Sequence, residues 1–108
     1  MDTTRTPEAA LRERVIDVIK TCYDPEIPVN IWEMGLIYTV DVTPGGEVSI
    51  RMTLTSPACP VAGSLPPEIE DKVRELGEVT EVRVEVVWEP PWNPSMMSEA
   101  ARLDLNMM

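Results

Sequence analysis

Val48-Ser49-Ile50-Arg51-Met52-Thr53-Leu54 alternates without a break, with Val48, Ile50, Met52 and Leu54 on one side and Ser49, Arg51 and Thr53 on the other. A period of two sends successive side chains to opposite faces, so this stretch reads as a strand with one buried and one wet face. Just before it, Thr43-Pro44-Gly45-Gly46 is a turn, built from the residues that tolerate or preset unusual backbone angles. Beyond the turn, Leu36, Tyr38, Val40 and Val42 share a face. The two runs make a hairpin.

Working outward, the spacing changes from two to between three and four. Leu11, Val15, Val18, Ile19 and Cys22 form one helical stripe, while Arg12, Arg14, Asp17 and Lys20 fall largely outside it. Thr6 is the expected N-cap, Pro7 suits the first helical position, and Glu8 suits the positive N-terminal end. Asp24-Pro25 is the expected stop, because proline disfavours helical geometry in the residue before it. Downstream, Ile69, Val73 and Leu76 mark a second buried stripe, with acids Glu68, Glu70 and Asp71 early and Gly77 at its end. Pro66 and Pro67 belong in a first turn, which argues for a cap at Ser64, although Pro60 can open an earlier, irregular turn. Val82, Val84, Val86 and Trp88 then alternate with Arg83, Glu85 and Val87 as a third strand, ended by Glu89-Pro90-Pro91. A short tail helix is expected from Ser98 through Ala100, Ala101, Arg102 and Leu103.

The order helix, strand, strand, helix, strand, tail helix predicts an α+β fold: a two-layer α/β domain with both helices on one face of a three-stranded mixed sheet. The step from second to third strand is expected to be a right-handed crossover. Residues 1–7 read as a flexible lead-in, with neither the basic start nor the apolar stretch of a signal peptide, and residues 8–108 as a single domain. Its 108 residues suit one domain, and no apolar run approaches the roughly 20 residues of a membrane span. A soluble, cytoplasmic protein is expected.

A net charge of −10 argues against nucleic acid and anionic membranes as partners, because arginine and lysine are scattered rather than gathered in a patch. Such a charge reads as a solvated surface, with a basic protein partner as the alternative. There is no histidine, which excludes histidine-based triads and histidine-containing zinc sites. The two cysteines, Cys22 and Cys59, are expected to be reduced thiols. Two thiolates cannot close a four-thiolate site, so an all-thiolate cluster needs a second copy of the chain, a partner, or non-protein ligands.

Cys59 is the sharpest chemical candidate. It lies in Thr55-Ser56-Pro57-Ala58-Cys59-Pro60, where prolines on both sides restrict the backbone. A helix opening at Pro60 would favour its thiolate, the form that binds iron. The plain alternative is a small hydrophobe packed under the loop. Cys22, on the apolar stripe of the first helix, reads as a core residue. Asp24 and Glu26 place two carboxylates after that helix, able to ligate iron or take a thiol proton. Equally, Asp24 or Asn30 can tie down a proline-rich turn. Thr55 and Ser56 read as local caps or as donors to a sulfur. Trp88-Glu89-Pro90-Pro91-Trp92 reads as a locking or docking element, and Met96, Met97, Met107 and Met108 are adaptable apolar side chains. Without histidine, Cys59 lacks its usual base, so the chain is expected not to be an enzyme.

Asp24-Pro25-Glu26-Ile27-Pro28-Val29-Asn30-Ile31, Met34-Gly35-Leu36-Ile37-Tyr38, Thr53-Leu54-Thr55-Ser56-Pro57-Ala58-Cys59-Pro60 and Glu89-Pro90-Pro91-Trp92 occur in that order. Together they resemble the metal–sulfur cluster assembly factors associated with the SUF system, and the same domain resembles the cytosolic iron–sulfur targeting factors of eukaryotes. The resemblance runs from about Leu11 to Leu105. It implies a two-layer α/β domain that assembles iron–sulfur clusters or transfers them to client apoproteins, in complexes with other assembly proteins. Cys59 matches the family's loop cysteine and becomes a transient ligand of iron or of a cluster, with no tightly bound cofactor. Asp24 and Glu26 match the family's acidic loop. Cys22 stands where relatives usually carry an aliphatic residue, and Pro66-Pro67 departs from the smoother helix start of the family. Coordination would be completed by a second copy, a homodimer, or by a client. Two alternatives stand beside this reading. One is a metal-free adaptor whose partner-binding residues are Trp92, Met96 and Met97. The other is an accessory subunit of a phenylacetate-pathway multicomponent oxygenase; those similar domains continue into a cysteine-rich extension, which is missing after Met108.

Overall fold

The computed structural model describes residues 7–23, 29–55 and 65–104. Helix α1 spans Pro7–Ile19 and buries Leu11, Val15 and Ile19, with Val18 packed partly against the same core. It ends earlier than the Asp24-Pro25 stop. Thr21 N bonds Val18 O at 2.9 Å and Cys22 N bonds Ile19 O at 3.0 Å, a tightened last turn that satisfies the final carbonyls. Thr6, Asp24 and Pro25 lie outside the described residues.

Strands β1 (Ile37–Val42) and β2 (Glu47–Met52) form the antiparallel hairpin, and β3 (Glu81–Val86) lies parallel to β2 in the order β1-β2-β3. The turn between β1 and β2 closes with Gly46 N on Thr43 O at 3.0 Å. The parallel β2–β3 pair requires a crossover, supplied by α2 (Leu65–Arg74). Helix α1 packs on β1 and α2, and α2 packs on β3, which gives the expected two-layer α+β domain. Between the layers lie Val15, Ile19, Ile31, Leu36, Ile50, Met52, Leu65, Ile69 and Val73, each at most 2% exposed. Burying one large aliphatic side chain stabilises by about 1.5–3 kcal/mol, so this layer is the main source of stability.

Several details depart from the sequence pattern. The β1–β2 register shifts between Ile37, opposite Met52, and Thr39, opposite Arg51, which takes Tyr38 out of the alternation. Strand β2 ends at Met52, and the alternation ends with it. Thr53, expected on the wet face beside Ser49 and Arg51, is fully buried, with its N–H on Leu36 O at 2.8 Å. Helix α2 stops at Arg74 rather than Gly77, because Leu76 N bonds Val73 O and Val79 N bonds Leu76 O in a tight turn. Strand β3 ends at Val86, which leaves Trp88 exposed instead of on the buried face. The tail helix α3 runs over Glu99–Asp104, and Ser98 caps it by accepting from Ala101 N at 3.1 Å through its hydroxyl.

Candidate functional site

Sheet direction gathers the loops. Because β2 is antiparallel to β1 and parallel to β3, the start of β1 and the ends of β2 and β3 lie at one pole of the sheet. Leu36 O accepts from Thr53 N, and Met52 O accepts from Val87 N, both at 2.8 Å, so the three segments are tied together there. Residues 29–36 lead into this pole, residues 53–55 leave it, and the tail after Val86 follows it.

The roots of both loops are anchored. Tyr23 and Asn30 form an isolated antiparallel bridge, and Ile31 N donates to Cys22 O at 3.0 Å, which ties residues 22–23 to residues 30–31. Asn30 also acts as a turn tie, its Oδ1 accepting from Glu33 N at 2.9 Å. Leu54 and Leu65 are each 2% exposed, so the chain is held in the core on both sides of the cysteine loop, and Thr55 stands exposed at its exit. Cys59, Asp24, Glu26 and Ser56 lie outside the described residues. Among the described residues, no group of three or more His, Cys, Asp or Glu is placed to hold a metal ion.

The tail straps the segment before β1. Trp92 is half-buried, and its indole Nε1 donates to Met34 O at 2.8 Å. Ser98 N donates to Glu33 O at 2.8 Å, and the Tyr38 hydroxyl donates to Pro90 O at 2.6 Å. Met96 is half-buried and brings its sulfur to 3.7 Å from the Tyr38 hydroxyl. Met97 is 3% exposed and belongs to the core with Ala101. Beside the strap opens a groove of about 620 Å³, lined by Ile37, Tyr38, Arg51, Val87, Pro90 and Met96 among others. Gly35 and Tyr38 carry this arrangement; periodicity placed Tyr38 on the strand face with Leu36 and Val40 but gave Gly35 no role. The signal was present in Met34-Gly35 before a β run, where a glycine marks a positive φ or a close backbone approach. Gly35 does both, at φ +78 against Met96.

Cys22 is fully buried, and its thiol makes a weak contact with Val18 O at 3.7 Å. Burial pushes its pKa up; Lys72 nearby acts in the opposite direction and Glu68 adds to the rise. A raised thiol pKa keeps Cys22 neutral and unreactive near pH 7. Its contribution to stability is intact below the unfolded thiol pKa and is lost as pH rises through the folded value. In a Cys59→Ala background, native protein at pH 7.5 is expected to stay unlabelled by iodoacetamide, whereas denatured protein takes one label. Labelling of the native protein at the denatured rate would contradict the buried placement.

The chain belongs to the iron–sulfur cluster assembly protein family, whose model matches residues 12–86. It is 44% identical over 96 residues to an Fe-S protein maturation auxiliary factor of Porphyromonas gingivalis, covering 89% of this chain and 91% of that one. It is 38% identical to the Fe-S protein maturation auxiliary factor YitW of Bacillus subtilis, covering 93% and 98%. A crystal structure of a domain of unknown function, DUF59, from Bacillus anthracis superposes with a TM-score of 0.86 at 32% identity, covering 94% and 96%. Among the described residues, no helix is long and apolar enough to cross a membrane.

Proposed function

We propose that this chain is a cytoplasmic, non-enzymatic factor that assembles iron–sulfur clusters or passes them to client proteins, with Cys59 as a transient ligand. The observation that supports this best is the shared pole, where Ile31, Thr53 and Val87 donate to the carbonyls of Cys22, Leu36 and Met52 and so bring together the described segments that border residues 24–28, residues 56–64 and the tail. The maturation-factor names of the relatives favour the same reading.

In this mechanism Cys59 loses its thiol proton, to Asp24, Glu26 or solvent, and its sulfur donates to an iron of the cargo. Cys22 is kept out by burial, so one thiolate per chain is available. A single thiolate holds the cargo weakly, and a second copy, an assembly protein or the client completes the coordination. Transfer is then ligand exchange: a client thiolate bonds the iron as the bond to Cys59 breaks, with no change of oxidation state. Met96 and Trp92 beside the groove, next to this pole, serve as the contact surface for such partners, while Met97 supports it from the core. In this proposal Thr55 and Ser56 are supporting residues that would donate hydrogen bonds to the cargo's sulfur.

Anaerobic reconstitution with ferrous iron and sulfide tests the ligand. Wild type is expected to gain visible charge-transfer absorbance that Cys59→Ala lacks. Identical spectra from the two proteins would overturn Cys59 as a ligand and favour the metal-free adaptor.

A further inference from the structure

Among the described residues, strands β1 and β3 are the outer strands of the sheet, and outer strands present backbone groups that can pair with a strand of another molecule. The ladders show which groups point outward. Thr43 N donates to Glu47 O at 2.9 Å, so Thr43 and Glu47 form a hydrogen-bonded pair. Alternation along an antiparallel ladder then makes Val40, opposite Ile50, a non-bonded pair whose own N–H and C=O point away from β2. On the other side, Val87 N donates to Met52 O, so the odd-numbered residues of β3 bond β2 and Val84 points outward.

Both edges are occupied at their middle by a charged side chain from the helix behind. Arg12 Nε of α1 donates to Val40 O at 2.9 Å. Val84 N donates to Glu70 Oε2 of α2 at 3.2 Å. An outward acceptor is closed by a cation, and an outward donor by an anion.

We propose that Arg12 and Glu70 guard the two sheet edges against strand addition by a second copy of this chain. The edges need guarding. Strand β3 reads Glu81-Val82-Arg83-Val84-Glu85-Val86, and its β-branched residues at every second position favour strand pairing. An incoming strand must break a charge-assisted hydrogen bond and leave the released charge inside the new interface, which is unfavourable without a partner. The net charge of −10 repels copies at long range but is screened by salt; a side chain seated on the edge is not. Two copies that share a cargo therefore meet through the pole rather than through a continuous sheet.

The test uses the full chain under reducing conditions at raised salt, by sedimentation velocity over a concentration series. Glu70→Ala and the Arg12→Ala/Glu70→Ala pair are expected to self-associate at concentrations at least about tenfold below wild type. Glu70→Gln, which keeps an oxygen acceptor but loses the charge, is expected to self-associate more weakly than Glu70→Ala and more strongly than wild type. Hydrogen exchange supplies a readout that needs no association. In wild type the Val84 amide is expected to be protected although it faces outward, and in Glu70→Ala it exchanges at least about tenfold faster while the Val87 amide is unchanged. Folded alanine variants that sediment as wild type would overturn the proposal. So would rapid exchange at Val84 in wild type, a result independent of whether any variant folds.

Discussion

Cys59→Ala is expected to cut the activity of iron–sulfur client enzymes in cells by at least about tenfold, the scale on which perturbing a metal site lowers affinity. On the proposed reading of Cys59 as an exposed ligand, the same substitution is expected to move the thermal midpoint by less than about 4 °C, the shift that about 0.5 kcal/mol produces. The two halves of the prediction separate chemistry from folding. The described core, from Leu11 through Met52 to Ala101, is assembled by residues on either side of the cysteine loop. On the proposed reading, removing the sulfur removes a ligand of the cargo while the described core keeps all its members. Cys22→Val is the matching control. It fills the same buried place with an aliphatic group, is expected to cost less than about 1.5 kcal/mol, and should leave client activity at the wild-type level. Measuring both thermal midpoints and one client activity, in strains carrying each variant, checks the pair. Normal client activity with Cys59→Ala would end the ligand reading, and lost activity with Cys22→Val would point to the wrong sulfur.

Gly35→Ala should be strongly damaging. Gly35 sits at φ +78, a conformation that costs a residue with a β-carbon about 1–3 kcal/mol. The added methyl would also lie inside contact distance of the Met96 carbonyl oxygen and 2.7 Å from its carbonyl carbon. Both obstacles are backbone, so neither can rotate aside. The strap would have to lift, which loosens the Trp92 bond to Met34 O and the Ser98 bond to Glu33 O. The expected loss is about 3 kcal/mol or more, a large share of the roughly 5–15 kcal/mol that a domain has. Urea denaturation followed by circular dichroism measures it, with Gly77→Ala as the comparison. A β-carbon at Gly77 meets nothing within 4 Å, so that variant is expected to stay within about 0.5 kcal/mol of wild type. Equal midpoints for the two alanine variants would show that the strap does not press on Gly35.

The tail shows how a side chain can serve packing and presentation together. Trp92 spends its indole hydrogen on Met34 O, and Met97 is in the core, yet Met96 and Pro90 still form a wall of the groove. The contacts that hold the strap down thus also shape the surface beside the pole. The tail methionines and tryptophans read alike in the sequence because apolar content alone does not say which side faces in. Only the strap's path past Gly35 separates them.

Periodicity was enough for the layers. A two-residue alternation in Val48–Met52 and spaced stripes through Leu11, Val15 and Ile19 and through Ile69 and Val73 leave one economical way to bury apolar surface, and the α+β sheet with two helices on one face follows. The resemblance carried by the four loop segments was likewise legible, because proline, glycine, asparagine and cysteine have fixed chemical uses at turns. The ends of elements were not. Alternation in the sequence ran on to Leu54 and Trp88, but the chain left the sheet at Met52 and Val86. Those ends were decided by hydrogen bonds between distant segments, Thr53 to Leu36 and Val87 to Met52, which no local pattern encodes. The same holds for the bulge at Tyr38, the strap over Gly35, and the seating of Arg12 and Glu70 on the sheet edges: each joins residues far apart in the chain, so each exists only once the layers have packed.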